Sequence, residues 1–405
     1  MLRLRSLALA TLLTLVTVVI STTCSFAVTE KVIYNFTGGS DGERPIGNLV
    51  FDSSGNAYGT TTYGGDTECN SNVGCGTVFE LSPNPDGTWM ETTVYSFKGG
   101  KDGQFPYWGV VMDSAGDLYG TTSEGGGCSN EGCGTVFELK SAHDGTWSES
   151  IIHSFQGNAD GSNPSGALAI GSNGTLYGVT PGGGARQDGA VFALRPDGNG
   201  WLKSTIYNFT GGYDGTSPQS VILRGSALYG TTMQGGAYGL GTVFKITQSD
   251  SQVVETTLYN FTGGLIGSEP TGSLAAQDGN LYGALAIGGA YNVGTIYELT
   301  PAQGNWSIHV LHTFTGGNDG GYPETGVILD QAGDVLGTTS RGGFYQLGTV
   351  FRLRRQENGR WGESVVWDFT GGDDGEYPES LVGSEGSLYG AMSAAPAGGI
   401  FELTR

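Results

Sequence analysis

The chain repeats a pattern of four short, largely apolar segments separated by turn residues. In the first complete unit these segments occupy residues 46–52, 57–61, 76–82 and 89–97. Short runs that alternate apolar and polar residues, or that are rich in Val, Thr, Tyr and Phe, are typical of β-strands. Most of the 74 glycines lie between the runs, where turns need them. The pattern therefore predicts an all-β protein built from four-stranded units.

Three phrases recur in register and set the period of the repeat. GTVFEL or a close copy occurs seven times, and LYGTT precedes it in most units. The phenylalanine of a third phrase, YNFTGG, recurs at Phe36, Phe97, Phe155, Phe209, Phe261, Phe314 and Phe369. Successive copies lie 52 to 61 residues apart. A β-rich repeat of this length predicts the blades of a propeller.

The two ends of the repeat region are complementary. Residues 30–36 match the fourth strand of a unit, and the last unit has three strands and no fourth. Pairing them would close the ring and remove the exposed sheet edges of an open array. We expect residues 28–405 to form a seven-bladed β-propeller with four-stranded blades. Its last blade should combine the N-terminal strand with three C-terminal strands.

The N-terminus predicts export. Arg3 and Arg5 precede an uncharged apolar run over 7–20, and small residues then lead to a cleavage site after Ala27. This order is that of a secretory signal peptide, and the run is too short to span a bilayer. We expect a signal peptide over residues 1–27 and a secreted, extracellular or cell-surface bacterial protein. No other segment is long and apolar enough to cross a membrane.

The net charge limits the classes of partner that the protein can bind. Cleavage would remove two arginines and no acids, leaving 16 basic against 39 acidic residues and a net charge near −23. Such a surface repels phosphate backbones, so nucleic acid is excluded as a partner, and it also repels anionic polysaccharides. Solubility is the simpler explanation of the acidic excess. We expect a monomer whose partner is an extracellular glycan or a protein.

Four cysteines remain after cleavage, in two close pairs. Each pair lies between a Gly-Gly and a GTVFEL segment, in successive units. Export favours disulfides, so the expected bridges are Cys69–Cys75 and Cys128–Cys133. A zinc site formed by all four thiolates is the alternative. Cys24 could carry a lipid, but the residues before it lack the leucine-like side chain of a lipoprotein signal.

Five phrases in fixed order carry a family resemblance. YNFTGG, DGxxP, LYGTT, Gly-Gly and GTVFEL follow one another through the whole predicted mature chain. This order resembles the GloVer tandem-repeat family of secreted bacterial proteins, and the Gly-Gly with a later Trp is also similar to a kelch blade. The resemblance implies an extracellular repeat protein and no established activity.

The loops between consecutive units and the loops between the second and third strands of each unit are longer and vary most, so we place any site on the rim that they share or in the channel mouth beneath it. The residue before the loop proline is, in units one to seven, Arg44, Phe105, Asn163, Ser217, Glu269, Tyr322 and Tyr377. Large side chains fall in the contiguous units six, seven, one and two, where Tyr107 and Trp108 add aromatic rings. Exposed rings beside carboxylates suit carbohydrate. Packing of these rings between blades is the competing interpretation. The candidate ligand-binding residues are Arg44, Phe105, Tyr107, Trp108, Tyr322 and Tyr377.

The same loops carry an aspartate in six units. Each loop offers about one carboxylate, whereas calcium takes six to eight oxygen ligands, so hydrogen bonding within the turn is the favoured role. One loop is richer in acids, and it provides weak candidates for calcium, namely Asp373, Asp374, Glu376 and Glu379. We expect no other cofactor.

Catalytic residues cannot be assigned from the sequence. His153 and His312 replace the tyrosine of the YNF phrase and so have the positions of structural residues. His309 lies in the strand before His312, and His143 in a turn. The expected function is a secreted binding propeller for carbohydrate or a protein partner. The alternative is a carbohydrate-active enzyme, a polysaccharide lyase or glycoside hydrolase, with its site at the channel mouth.

Overall fold

A computed structural model describes residues 28–66, 68–69, 73–128, 132–142, 144–198, 200–249, 252–393 and 396–404. The predicted signal peptide, Cys24 and His143 lie outside these residues. The described chain forms seven antiparallel sheets arranged as the blades of a β-propeller, as predicted. No helix in the described ranges is long and apolar enough to cross a membrane.

The first three blades follow in chain order. Blade one contains β2 (Glu43–Pro45), β3 (Val50–Phe51), β4 (Ala57–Tyr63), β5 (Thr77–Pro83) and β6 (Trp89–Ser96). Blade two contains β7 (Val110–Met112), β8 (Leu118–Thr122), β9 (Thr135–Ser141) and β10 (Trp147–Ser154). Blade three contains β11 (Ser165–Ile170), β12 (Leu176–Thr180), β13 (Ala190–Asp197) and β14 (Gly200–Asn208). Two short 3₁₀ turns lie in the loops before blades two and three, at Gly100–Asp102 and Asn158–Asp160.

The remaining blades repeat this order. Blade four contains β15 (Thr216–Arg224), β16 (Ala227–Gln234), β17 (Thr242–Ser249) and β18 (Gln252–Asn260). Blade five contains β19 (Ser268–Gln277), β20 (Asn280–Ile287), β21 (Thr295–Ala302) and β22 (Asn305–Thr313). Blade six contains β23 (Ile328–Leu329), β24 (Val335–Thr339), β25 (Thr349–Arg355) and β26 (Trp361–Asp368). Blade seven contains β27 (Val382–Ser384), β28 (Ser387–Met392), β29 (Gly399–Thr404) and the N-terminal strand β1 (Thr29–Asn35).

The ring closes in blade seven, where the two ends of the described chain meet. Strand β1 pairs antiparallel with β29, from Thr29 opposite Thr404 to Asn35 opposite Gly399. The predicted closure is therefore confirmed.

The first strand of blade one is shorter than expected. Residues 46–52 were predicted as one strand, but β2 and β3 flank a gap. Within this gap Asn48 forms a bridge with Gly109 of the next blade. A Cβ on Gly47 would lie 2.1 Å from the Gly109 nitrogen, so glycine is required for this approach. At this position the backbone contact between blades one and two takes the place of strand pairing within blade one.

One aromatic contact joins every pair of neighbouring blades. The YNF phenylalanine of one blade meets the GTVFEL aromatic ring of the next edge-to-face, with centroids 5.0–5.3 Å apart. The seven pairs are Phe36–Phe79, Phe97–Phe137, Phe155–Phe192, Phe209–Phe244, Phe261–Tyr297, Phe314–Phe351 and Phe369–Phe401. Edge-to-face pairs add about 0.5–1.5 kcal/mol each beyond the area that they bury.

The glycine of the LYG phrase accommodates this contact. A Cβ on Gly120 would lie 2.4 Å from the Phe137 ring, and one on Gly390 would lie 2.4 Å from the Phe401 ring. The ring of the third strand therefore rests directly on the backbone of the second. All three recurring phrases thus contribute to the blade interface.

Both disulfides form within their own loops, as predicted. The Cα atoms are 5.7 Å apart in Cys69–Cys75 and 5.5 Å apart in Cys128–Cys133. Since all four sulfurs are bonded in pairs, the zinc alternative is discarded.

Carboxyl groups also meet between blades, near the outer strands. Four glutamates have a pKa raised from 4.5 to about 7, namely Glu30, Glu149, Glu255 and Glu363. Burial is the main cause, and the charge of a neighbouring loop aspartate raises each pKa further. In blade three the matching residue is Lys203, whose Nζ lies 2.6 Å from an Asp160 carboxylate oxygen. These four glutamates lack such a lysine, and their raised pKa values should make stability depend on pH.

We predict that removal of residues 30–36 destabilises the whole ring. The deletion would remove the partner of β29 and the Phe36–Phe79 contact, and Phe36 is only 1% exposed. The substitution Phe36→Ala alone should cost about 3–5 kcal/mol. Thermal unfolding of both variants tests this, and a truncated protein that melts like the intact one would contradict the closure.

We also predict that Glu363→Gln stabilises the protein at pH 8 but not at pH 4. The folded-state pKa of Glu363 is raised to about 7, above its ordinary value of 4.5. The stability that it contributes is therefore present below pH 4.5 and lost as the pH rises through 7. Because the side chain is only half buried, we expect a gain of the order of 1 kcal/mol, or about 2 °C.

The control for this change is Glu357→Gln, at an exposed position of the turn before β26. Its melting temperature should follow the wild type at both pH values. An equal effect of Glu363→Gln at pH 4 and pH 8 would show that the interaction between the Glu363 and Asp319 carboxyl groups does not cause the pH dependence of stability.

Candidate functional site

The loops that enter the blades and the loops after each second strand lie on one rim. Backbone hydrogen bonds connect them, for example from Gly65 to Gly39 in blade one and from Gly236 to Gly212 in blade four. The sequence-based placement of the variable loops on a common rim therefore agrees with the geometry.

The loop aspartates serve as hydrogen-bond acceptors within their turns. Asp41 accepts hydrogen bonds from the Thr37 N–H at 2.8 Å and from the Tyr34 hydroxyl at 3.0 Å. Asp214 accepts the two equivalent hydrogen bonds, from the Thr210 N–H and from the Tyr207 hydroxyl. The favoured prediction, an aspartate that stabilises its own turn, describes these loops.

Two histidines take the tyrosine position in this arrangement. The Nε2 atoms of His153 and His312 lie 3.1 Å from the carboxylates of Asp160 and Asp319. Burial is the main cause that lowers the pKa of both histidines. They hold loops in place, in the role the sequence predicted for them.

The acid-rich loop does not gather its four acids into a metal site. Asp374 accepts hydrogen bonds from the Trp367 indole and the Thr370 N–H, as the other loop aspartates do. Asp373 is exposed, and Glu379 lies at the channel mouth. Within the described ranges, no three His, Cys, Asp or Glu side chains are arranged to hold a metal ion.

The residue before each loop proline has an unusual backbone. All seven have positive φ, between 54° and 63°, although none is glycine. Such conformations cost about 1–3 kcal/mol each and persist where the surroundings enforce them. Six donate their N–H to a carbonyl of the preceding blade, as Tyr377 does to Leu347 at 2.8 Å. These residues therefore fasten blade to blade around the rim.

The candidate residues differ widely in exposure. Arg44 is exposed and Tyr377 is 38% exposed. Tyr322 is partly buried, with the Arg341 guanidinium 5.7 Å from its ring centre. Phe105 is 8% exposed and packs edge-on against Tyr63 at 5.4 Å. For Phe105, this burial favours the packing interpretation over ligand contact.

Tyr107 lies beside this packed pair, and Trp108 lies at the channel. Burial and a hydrogen bond with Tyr63 raise the pKa of Tyr107 to about 12. Trp108 is partly exposed and lines a cavity at the channel mouth. Trp108 is the one ligand-binding candidate that the structure brings to this cavity.

The cavity at the channel mouth has a volume of about 150 Å³ and draws on all seven blades. Its polar lining includes Gln219 of blade four, Glu324 of blade six and Glu379 of blade seven, with Trp108 of blade two. The first three follow a loop proline directly, as the predicted candidate Tyr107 does, whereas four of the six predicted candidates precede one. The position after each proline was a signal that the sequence contained.

Two carboxyl groups shape the electrostatics of the mouth. Burial raises the pKa of Glu324, and the charge of Glu379 raises it further, against the effects of a Ser340 hydrogen bond and Arg341. Part of the Glu324 side chain nevertheless reaches solvent. The Glu379 backbone is held by a 2.7 Å hydrogen bond from its N–H to the Ala391 carbonyl. The mouth therefore presents two neighbouring carboxyl groups, of which Glu324 has the raised pKa.

The most exposed aromatic side chains lie in a sector of the rim that overlaps the predicted one only at blade six. They belong to the loops of blades four to six, at Tyr213, Tyr238, Tyr291, Phe344 and Tyr345. The sequence prediction rested on residues beside the loop proline, and the residue before the proline is small or polar in blades four and five. It therefore missed these aromatic residues.

Solved structures similar to this chain are propellers of several kinds. A protein provisionally described as a 6-phosphogluconolactonase, from Bacteroides fragilis NCTC 9343, is 12% identical with a TM-score of 0.52, over 78% of this chain and 82% of that one. An ancestral GH74 enzyme is 14% identical with a TM-score of 0.52, over 89% and 48%. A puromycin hydrolase is 11% identical with a TM-score of 0.53, over 86% and 52%. At these identities the likeness extends to the fold alone.

The family comparison covers the chain more fully. No curated protein sequence matches it. A family model for the Gloeobacter/Verrucomicrobia repeat matches residues 17–144, 127–328 and 225–405. These ranges include every blade of the ring. The chain therefore belongs to the Gloeobacter/Verrucomicrobia repeat family, as its recurring phrases predicted.

Proposed function

We propose that the protein is an exported bacterial propeller that binds carbohydrate at the mouth of its central channel. The observation that carries this proposal is the cavity where Glu324, Glu379 and Gln219 surround a space beside Trp108. Carboxylates accept hydrogen bonds from sugar hydroxyls, and amides both accept and donate them, while an indole offers an apolar face to sugar C–H groups.

The size and charge of the cavity limit which glycans can bind in it. A volume of about 150 Å³ is below the roughly 300–1,000 Å³ of pockets that enclose a whole ligand, so the mouth would admit one end of a glycan. The acidic chain and the two mouth carboxyls disfavour anionic sugars. A neutral glycan therefore fits best.

Export is part of the proposal. Residues 1–27 would be removed as a signal peptide, and two disulfides suit an oxidising compartment. Outside the cell such a protein would meet glycans of its surroundings, and we expect it to do so as a monomer.

A second candidate function is carbohydrate cleavage at the same mouth. Two carboxyls on adjacent blades, one with a raised pKa, are the groups that a glycoside hydrolase needs as acid and as base or nucleophile. Glu324 would be the acid and Glu379 the base or nucleophile. The fold shared with a GH74 enzyme agrees with this candidate.

We predict that Glu379→Gln and Trp108→Ala each weaken glycan binding about tenfold, because each removes one of the few groups that can hold a sugar there. A glycan array followed by calorimetry with the best neutral oligosaccharide measures this effect. Glu357→Gln, which changes an exposed glutamate elsewhere, is the matched control. Binding that survives both mouth variants would contradict the proposed site.

A reducing-sugar assay on the same samples separates the two functions. A binding module releases no new reducing ends. An enzyme releases them, and Glu324→Gln abolishes this release while binding of the substrate remains.

We predict that Tyr377→Ala leaves the melting temperature within about 1 °C of wild type, because the side chain is 38% exposed. If Tyr377 stacks on the bound glycan, the same change should weaken binding roughly tenfold. Phe105→Ala is the comparison, since Phe105 is 8% exposed and its loss should cost about 3–5 kcal/mol of stability. A large drop in melting temperature for Tyr377→Ala would assign this ring to packing between blades.

A further inference from the structure

Three consecutive blades present a tyrosine on the same turn. The loops after the second strands of blades four, five and six each begin with Gly-Gly and place Tyr238, Tyr291 and Tyr345 at the fourth position. In each loop the residue after the tyrosine has positive φ, and its N–H donates a hydrogen bond to the carbonyl of the second glycine. The tyrosines are 63%, 62% and 51% exposed.

Hydrogen bonds hold these turns in place. The second glycine of each turn donates its N–H to a glycine of the adjacent entry loop, in the pairs Gly236–Gly212, Gly289–Gly264 and Gly343–Gly317. The next N–H is bound by a side chain of the outer strand in two blades, from Ala237 to Asn260 and from Phe344 to Asp368. The tyrosines therefore project from a pre-organised backbone.

Neighbouring loop residues extend this surface. Tyr213 and Leu265 of the entry loops are 80% and 73% exposed, and Phe344, 70% exposed, lies edge-on to Tyr345 at 5.1 Å. We call the six residues the rim arc: Tyr213, Tyr238, Leu265, Tyr291, Phe344 and Tyr345. Among the residues that the structure describes, every aromatic side chain more than half exposed belongs to the rim arc.

The composition of the rim arc points to one class of ligand. Its exposed rings lie outside the seven hydrophobic clusters between the blades. Tyrosine offers a flat apolar face and a hydroxyl at a small entropic cost, which suits the alternating C–H and O–H surface of a sugar. The rim arc has no charged member, and the acidic chain repels anionic polymers.

We propose that the rim arc is a platform for a neutral polysaccharide chain, with one matched tyrosine from each of three blades contacting successive parts of the polymer. A repeating ligand suits equivalent side chains on equivalent turns better than a single sugar does. This inference rests on the proposed carbohydrate function and adds a second contact surface on the rim that surrounds the channel mouth.

Sedimentation with insoluble cellulose, chitin or β-1,3-glucan tests the platform. The triple variant Tyr238→Ala/Tyr291→Ala/Tyr345→Ala should bind the polymer at least about tenfold more weakly than the wild type and melt at the same temperature, because the three rings are exposed. The control is Met90→Ala/Leu202→Ala/Val254→Ala, which removes side chains that are 56%, 50% and 40% exposed on outer strands. This control should bind as the wild type does.

A substitution in blade three is expected to strengthen binding of the polymer. Its loop has the same turn, in which Gln187 has positive φ and donates to Gly184, but Arg186 stands at the tyrosine position. Arg186→Tyr would extend the rim arc by one blade and should strengthen binding of the polymer several-fold. Unchanged or weaker binding would count against the platform.

The outcomes separate the platform from the proposed function. A wild-type protein that binds soluble neutral oligosaccharides but none of the three polymers overturns the platform and leaves the mouth site standing. The same conclusion follows if the triple variant binds polymer like the wild type while Glu379→Gln does not. Absence of binding to both oligosaccharides and polymers overturns both proposals.

Discussion

The ring depends on one edge-to-face aromatic contact that is made seven times. Each links the outer strand of one blade to the third strand of the next, and Phe36–Phe79 and Phe369–Phe401 bring the two chain ends into the same circuit. The contact fixes both residue size and blade spacing, because the inner ring rests on a glycine such as Gly120 with no room for a side chain. The repeated phrases persist because a change in one partner would disturb two blades.

This rigid circuit lets the rim loops hold strained conformations. Seven non-glycine residues with positive φ lie directly above the blade interfaces, and six are fastened to the preceding blade through their N–H groups. Gln219, Glu324 and Glu379 come from distant parts of the sequence and meet at one mouth. The function proposed here follows from that convergence.

The fold could be predicted from the sequence, whereas most of the residues that line the channel mouth could not, for physical reasons. Strand number, ring closure and both disulfides follow from local patterns that repeat in register, so each unit corroborates the others. The mouth depends on which of two neighbouring residues faces the channel, and that choice is set by a positive φ that no local pattern revealed. Tyr322 was therefore favoured over Glu324. Likewise, the raised pKa of Glu324 arises from the burial and the Glu379 charge that only the closed ring provides.

The most direct test of the account is a crystal structure of the mature protein with a bound neutral oligosaccharide. We predict that one terminal sugar lies in the channel mouth, with a face against the Trp108 indole and hydroxyls within hydrogen-bond distance of Glu324 and Glu379. A sugar bound on the opposite rim or along a blade edge, with the mouth left to solvent, would contradict the central claim.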